Sequence, residues 1–374
     1  MFRCSSLIIV LIFACLLIYI YLYNEALEKW KTAVTYRFQL CGKAIISNDN
    51  SPTSVCIFKD SSIKTLEQNL SASTTPSFAT INFQNILNPW TNNIKKMCQN
   101  RTRPLLTLFT TWRESKDKYN VNNITSLNWL SLRPYVVPVV FTNDTSLAVE
   151  CSRKGWTVFP VSAAAAHGIP ILKHMYLDVM KKINSELYAF ANSDILFTDT
   201  LVETLLQVME YNSTFKGHTL IIGIRTNVNN ITRDEGSSWK ELESVSKKRG
   251  TLFKMYAEDY FITSGSYPWK DIPDVVIGRR AYDNWLVLNA RMMKHRVIDA
   301  TETILAVHQT TKAGNFEGLN QTDASYNLKL LMNFNKNVSY TAGYTDCAEF
   351  ITKKDKMNIR ITRRLELPKY CKIP

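Results

Sequence analysis

Asn192 and Asp194 stand two residues apart. They directly follow one apolar run, Leu187 to Ala191 (LYAFA), which reads as a strand, and directly precede another, Ile195 to Phe197, which reads as its continuation. Two oxygen-bearing side chains at that spacing can converge on one hard divalent cation such as Mg²⁺ or Mn²⁺, which bridges to phosphate oxygens. Asn-Ser-Asp also makes an ordinary turn. The flanking runs bear on that choice, because they bury the segment and a buried carboxylate without a partner is costly. His308 closes a further apolar run, Ile304 to Val307, and is expected at a strand terminus. Asp283 precedes Trp285, Leu286 and Leu288, which read as the first turns of a helix. A carboxylate there can cap the helix or face a cleft as a general base, and the two roles are compatible. Glu258-Asp259 is a second acidic group, and the Tyr-Phe-Ile that follows it reads as a strand.

The elements that position these residues alternate. Pro104 to Thr111, Tyr135 to Thr142, Trp156 to Val161 and Leu220 to Ile224 are compact apolar runs, as buried strands are. Between Gly168 and Ile183 the period lengthens, and Leu172, Met175, Tyr176, Val179 and Ile183 fall on one helical face. Thr200 and Glu203 form a capping-box pattern before Leu201, Leu205, Val208 and Met209. Strands alternating with helices predict an α/β fold with a largely parallel sheet covered on both faces. Ligands of such sheets bind beyond the carboxyl ends of the strands. Thr110, Thr111 and Arg113 follow the first strand, and Asp144 follows the second. Asp144 also lies inside the glycosylation sequon Asn143-Asp144-Thr145, and a glycan there would crowd a binding pocket, so one of those two readings must fail. Lys173, Arg279 and Arg280 can each meet an anionic ligand or simply be solvated. Trp269 and Trp285 can stack on sugar rings or pack in the core.

The 374 residues carry a formal charge of +13, which fits a partner bearing phosphate, carboxylate or sulfate. The N-terminus argues against nucleic acid. Leu7 to Tyr23 is uncharged and free of proline, and as a helix it spans about 26 Å. Tyr19, Tyr21 and Tyr23 follow where a cleavage site would need small residues. Residues 1–23 are therefore expected to be a cytosolic tail and an uncleaved signal-anchor helix, with the rest of the chain lumenal. Eight sequons, at Asn69, Asn100, Asn123, Asn143, Asn212, Asn230, Asn320 and Asn337, agree with that side of the membrane. So do six cysteines beyond the anchor, Cys41, Cys56, Cys98, Cys151, Cys347 and Cys371, whose even number suggests disulfides of open pairing. Residues 24–97 are rich in Ser, Thr, Asn and Pro and read as a stem, 98–320 as the folded body, and 321–374 as a C-terminal extension.

Tyr188 to Phe197 resembles the DxD region of GT-A-fold glycosyltransferases, with Asn192 in place of the first aspartate. The anchor, stem and lumenal body are similar to the layout of Golgi glycosyltransferases. Ile277-Gly-Arg-Arg-Ala-Tyr-Asp-Asn-Trp-Leu286 resembles a Gly-x4-Asp-Asn-Trp-Leu pattern of a poorly characterised family of nucleotide-diphospho-sugar transferase-like proteins. Val297 to Glu302 and Ala306 to Gln309 resemble its following segments. The resemblance covers about residues 104–310, and the chain departs from it after His308, where Gln309-Thr-Thr-Lys-Ala-Gly replaces a His- and Asp-rich stretch.

The resemblance implies a GT-A-like, Rossmann-like sheet flanked by helices. The implied activity is transfer of a sugar from a nucleotide-diphosphate sugar to a glycan, glycoprotein or glycolipid in the Golgi or endoplasmic reticulum, aided by Mn²⁺ or Mg²⁺. It implies that Asp194, Asn192 and His308 serve the metal, and that Thr110, Thr111, Arg113, Asp144, Asn192 and Arg279 serve the nucleotide sugar. Asp283 would be the base acting on the acceptor, with Glu258 and Asp259 the second candidates. Two other readings stay open: a non-catalytic carbohydrate- or nucleotide-sugar-binding protein on the same fold, and a hydrolase using Asp194. The hydrolase lacks a partnered nucleophile motif such as GxSxG.

Overall fold

The computed structural model describes residues 90–112, 118–212, 217–311, 321–334, 339–355 and 358–373. All of the described residues belong to one compact unit, Gln84–Pro374. The expected anchor, residues 24–89 of the expected stem, Arg113, Cys41 and Cys56 lie outside the described residues. Among the described residues no helix is long and apolar enough to cross a membrane.

The strands in chain order are β1 (Leu106–Thr111), β2 (Val136–Phe141), β3 (Thr157–Phe159), β4 (Ala164–Ala165), β5 (Ile169–Pro170), β6 (Leu187–Ala191), β7 (Ile195–Phe197) and β8 (Thr219–Ile222). They continue as β9 (Thr226–Asn229), β10 (Thr251–Leu252), β11 (Tyr260–Ser264), β12 (Arg296–Asp299), β13 (Ala306–Thr310), β14 (Phe350–Asp355) and β15 (Asn358–Arg363). The α-helices are α1 (Asn92–Cys98), α2 (Tyr119–Ser131), α3 (Thr145–Arg153), α4 (Leu172–Lys182), α5 (Thr200–Asn212), α6 (Arg233–Ser237), α7 (Trp239–Arg249), α8 (Tyr282–Met292) and α9 (Tyr326–Leu331).

Nine strands form one sheet in the order β15-β14-β12-β8-β11-β6-β1-β2-β3. It is mostly parallel: only β11, in its interior, and β15, at its edge, run against the others. Its central strands are apolar throughout because both faces are covered. Leu187, Ala189 and Ala191 of β6 enter the core under α1, α2, α3 and α5. Tyr188 and Phe190 of the same strand enter the core under α4 and α8. The period of two is the strand's own pleat. The expected face of α4, Leu172, Met175, Tyr176 and Val179, is the buried one. The fold is thus mixed α/β, a large mostly parallel sheet flanked by helices.

A second sheet, β10-β9-β13-β7, packs Leu196, Val228 and Val307 against Ile124 of α2 and Leu242 and Val245 of α7. Its presence corrects three expectations. Ile195 to Phe197 does not continue β6; the chain leaves the large sheet at Ala191 and enters the small one at Ile195. His308 is interior to β13 rather than at a strand end, paired with Ile195 across the antiparallel ladder. Thr200 is the first residue of α5, not its cap, and its hydroxyl accepts from the Leu305 amide at 3.1 Å.

Both outer boundaries of the body move. Trp90, Ile94 and Cys98 are core residues, so the stem does not reach residue 97. Trp90 donates to the Arg133 carbonyl at 2.9 Å and its ring meets Trp239 at 4.6 Å. At the other end, β14 and β15 extend the large sheet, so the C-terminal region is part of the body rather than an appendage. Cys347 and Cys371 form a disulfide, whereas Cys98 and Cys151 are buried free thiols.

Candidate functional site

The Asn192–Asp194 link crosses from one sheet to the other, and each of its ends is tied down by backbone pairing. The Asn192 amide donates to the Asp259 carbonyl at 2.9 Å, and the Asp194 carbonyl accepts from the Gln309 amide at 3.0 Å. The second bond brings Asp194 beside β13. Its Oδ2 lies 3.4 Å from His308 Nε2, while its Oδ1 is sealed from solvent with no protein partner. His308 Nδ1 shares a 2.9 Å hydrogen bond with the Thr310 hydroxyl, which fixes the imidazole with Nε2 toward the carboxylate. Burial pushes the Asp194 carboxyl up. The hydrogen bond and charge of His308, with the cations of Lys118 and Arg225, outweigh burial and hold it below the ordinary carboxylate value. An ionised carboxylate with one unpartnered oxygen, set beside an oriented imidazole nitrogen, fits a divalent cation.

Asn192 faces a different neighbour. Its Nδ2 donates to Asp259 Oδ1 at 2.6 Å, and Asp259 Oδ2 accepts from the Arg225 guanidinium. Asp259 is therefore clasped between an amide and a cation. An aspartate at 192 would instead set two carboxylates in contact, so the asparagine matches its surroundings. Arg225 is buried, donates through Nε to Asn227 Oδ1 at 3.1 Å, and covers the Phe253 ring at 4.3 Å. These groups line a cleft of about 320 Å³ with Thr110, Thr111, Lys118, Arg279 and His308. It opens at the carboxyl ends of β1 and β6, where a ligand of such a sheet is expected.

A second hollow of about 370 Å³ adjoins it and shares Asn192, Arg225, Asp259, Gly278 and Arg279. Here Glu258 and Asp283 meet. Helix α8 begins at Tyr282 after Ala281, which is held in the left-handed region at φ 79°. Asp283 is thus in the first turn, not at the cap, and its Oδ1 accepts from the Asn284 amide at 3.0 Å. Burial, reinforced by the negative charge of Asp259 and opposed by that amide, pushes its carboxyl up to about 7. Glu258 is held by the Thr345 hydroxyl at 2.7 Å and by Asn284 Nδ2 at 3.0 Å. Burial and the charge of Asp283 push Glu258 well above the carboxylate range. Gly343 packs on this turn: a Cβ there would stand 1.8 Å from the Asn284 carbonyl oxygen.

The cleft gathers Thr110, Thr111, Asn192, Asp194, Asp259, Arg279 and His308, and its second hollow adds Glu258 and Asp283. The acidic pair divides, Asp259 toward Arg225 and Glu258 toward Asn284 beside Asp283. Asp144 is not brought to the cleft. It is exposed and caps α3, accepting from the amides of Ser146 and Leu147 at 2.8 and 3.1 Å. Lys173 pairs with Asp274 at 2.6 Å, away from the cleft lining. Trp269 and Trp285 are both core residues, Trp269 stacked on Tyr176 at 3.6 Å. Arg225, Lys118, Asn284 and Thr345 were not anticipated. Arg225 had a signal, since it immediately follows the apolar run LIIGI.

No protein-family model matches the chain, and no curated protein matches it. Among solved structures, a glucosyl-3-phosphoglycerate synthase from Mycobacterium tuberculosis in complex with phosphoglyceric acid is 11% identical with a TM-score of 0.37. That match covers 66% of this chain and 84% of the other. A mannosyltransferase from Pyrobaculum calidifontis in complex with GDP-Man and Mn²⁺ is 14% identical with a TM-score of 0.34, over 66% of this chain and 71% of its own. A mycobacterial protein is 10% identical with a TM-score of 0.39, over 74% and 88%. Similarity at this level does not assign an activity.

Proposed function

We propose that the chain is a glycosyltransferase that moves a sugar from a nucleotide-diphosphate sugar to a glycan, glycoprotein or glycolipid acceptor. The observation that carries this reading is one cleft with two unlike carboxylates. At one end Asp194, 3.4 Å from His308, is held below the ordinary carboxylate value; at the other, burial pushes the Asp283 carboxyl up to about 7. Asp194 and His308 would hold a divalent cation, and their mixed oxygen and nitrogen donors favour Mn²⁺ over Mg²⁺. Such an ion, when bound, neutralises a leaving diphosphate. Arg225, Lys118 and Arg279 line the same part of the cleft and complement an anionic donor. Thr110 offers a buried hydroxyl with no protein partner there. Asp283 would take the proton of the acceptor hydroxyl, as a base with a value near the working pH does. Glu258, held by the Thr345 hydroxyl and Asn284 Nδ2 and raised by burial and the charge of Asp283, stands beside it as the second acidic group.

The compartment belongs to the same proposal: residues 1–23 anchor the chain as a single-pass type II protein of the Golgi or endoplasmic reticulum, body lumenal. The uncharged run Leu7 to Tyr23, the Cys347–Cys371 disulfide and exposed sequon asparagines at 100, 143 and 230 support it.

Binding without turnover is the second reading, favoured by Asn192, whose amide is engaged by Asp259 instead of lying free beside Asp194. A screen of nucleotide-diphosphate sugars with the full-length chain in detergent, with and without Mn²⁺, separates the two. Release of nucleoside diphosphate that depends on Mn²⁺ and acceptor supports transfer. Saturable donor binding without any release would leave the binding protein.

A further inference from the structure

Beyond Asp283 the second hollow is bordered by aromatic side chains, and these continue outward. Phe253 and Tyr256 line it. Tyr256 meets Tyr344 at 5.9 Å between ring centroids, and Tyr344 meets Tyr370 at 6.0 Å, while Phe253 and Tyr256 are 6.2 Å apart. Neighbouring rings are inclined by 53 to 68°, so the row turns as it leaves the hollow. Tyr256 and Tyr370 are 38% and 42% exposed, so both offer ring surface to solvent. The row is nevertheless held in place. The Thr345 amide donates to the Met255 carbonyl at 2.8 Å, the Tyr370 hydroxyl donates to Asp346, and the Cys347–Cys371 disulfide joins the segments that carry Tyr344 and Tyr370.

We propose that Phe253, Tyr256, Tyr344 and Tyr370 form a carbohydrate-binding track for the oligosaccharide arm of the acceptor, extending it away from Asp283. The proposal rests on the glycosyl-transfer reading and adds a substrate class, an acceptor longer than one sugar. The chemistry selects that occupant. One face of a pyranose is a layer of C–H bonds that packs on the electron-rich face of an aromatic ring, and its rim of hydroxyls needs polar partners. Three of the four rings are tyrosines, with Asp346 hydrogen-bonded at the far end. A track for an alkyl chain would have no use for that polar edge. Because the row is continuous with the hollow, an acceptor whose terminal hydroxyl reached Asp283 would have its next sugars over Tyr256 and Tyr344.

The test measures binding by the full-length chain in detergent of mono-, di-, tetra- and hexasaccharides from the cello, chito, manno and galacto series. In at least one series affinity should rise with length, by roughly three- to tenfold for each ring engaged. Tyr256→Ala and Tyr370→Ala should each remove much of that rise, whereas Tyr370→Phe, which keeps the ring, should retain most of it. Melting curves on the same samples establish that the variants are folded. Affinity independent of length, an undiminished rise in both alanine variants, or no binding in any series would overturn the track. An equal gain from an alkyl glycoside of matching length would make the occupant a lipid tail, and would overturn it too. Nucleoside diphosphate release, read in parallel, keeps the two proposals apart. Donor turnover without a length effect removes the track alone; a length effect without turnover by any donor removes the transferase reading alone.

Discussion

The two ends of the cleft are built by different means. Around Asp194 most constraints are strands: the link lies between β6 and β7, Asn192 is bonded to the residue preceding β11, and His308 lies within β13, while Thr125 of α2 adds one helix contact by donating to the Ser193 carbonyl at 2.6 Å. Around Asp283 the supports are a helix start behind a left-handed alanine and a C-terminal turn whose Gly343 touches the Asn284 carbonyl. The electrostatics diverge in the same way. Both carboxyls are pushed up by burial, but Asp194 has His308, Lys118 and Arg225 to reverse the push, whereas at Asp283 the charge of Asp259 adds to it. One fold thus holds one carboxyl below its ordinary value and pushes another up to about 7, the contrast on which the proposed transfer depends.

Removing each carboxylate is the strongest way to break that comparison. Asp194→Ala should lower donor turnover by on the order of 10⁴, with circular dichroism unchanged; full turnover in this variant would end its assignment. Asp283→Asn should leave donor affinity in place and slow transfer by on the order of 10² to 10³. Loss of donor binding at unchanged melting would place Asp283 with the donor instead.

Titration sharpens the contrast. Transfer needs Asp283 ionised, so kcat/KM should fall as pH drops below about 7, by about tenfold per unit, and level off above it. The profile should flatten in Asp283→Asn. Stability carries the opposite sign. Burial raises the folded value of Asp283 above that of the unfolded chain, so its contribution is most favourable at low pH and is lost as pH rises through about 7. Asp283→Asn should therefore melt higher than the wild type at about pH 8 and close to it at about pH 4. Loss of the bond that Asp283 accepts from the Asn284 amide would instead give a lower melting point at both. The smallest effect concerns Asn192: Asn192→Asp places a carboxylate where an amide donates to Asp259, and should lower melting by about 3 °C or more without added metal.

The central strands were legible because burial on both faces leaves continuous apolar runs such as LYAFA and LIIGI, and the motif between β6 and β7 was legible from its place after one of them. Strand β9 (TNVN) was not, and β13 (AVHQT) only in its apolar first half, since polar residues break such a run. That is why His308 was expected at a strand end. The Asn192–Asp259 pair spans 67 positions, and Gly343 gains its meaning only against Asn284, so neither is written locally. Asp144 misled because a residue after a strand is also the natural cap of the helix that follows.

The difference between the two carboxylates is most directly tested by titrating Mn²⁺ into the full-length chain and counting bound ion by electron paramagnetic resonance. The wild type and Asp283→Asn should each bind one ion per chain, and Asp194→Asn should bind none at the same concentrations. Retention of the ion in Asp194→Asn, or its loss in Asp283→Asn, would contradict the division of the cleft described above.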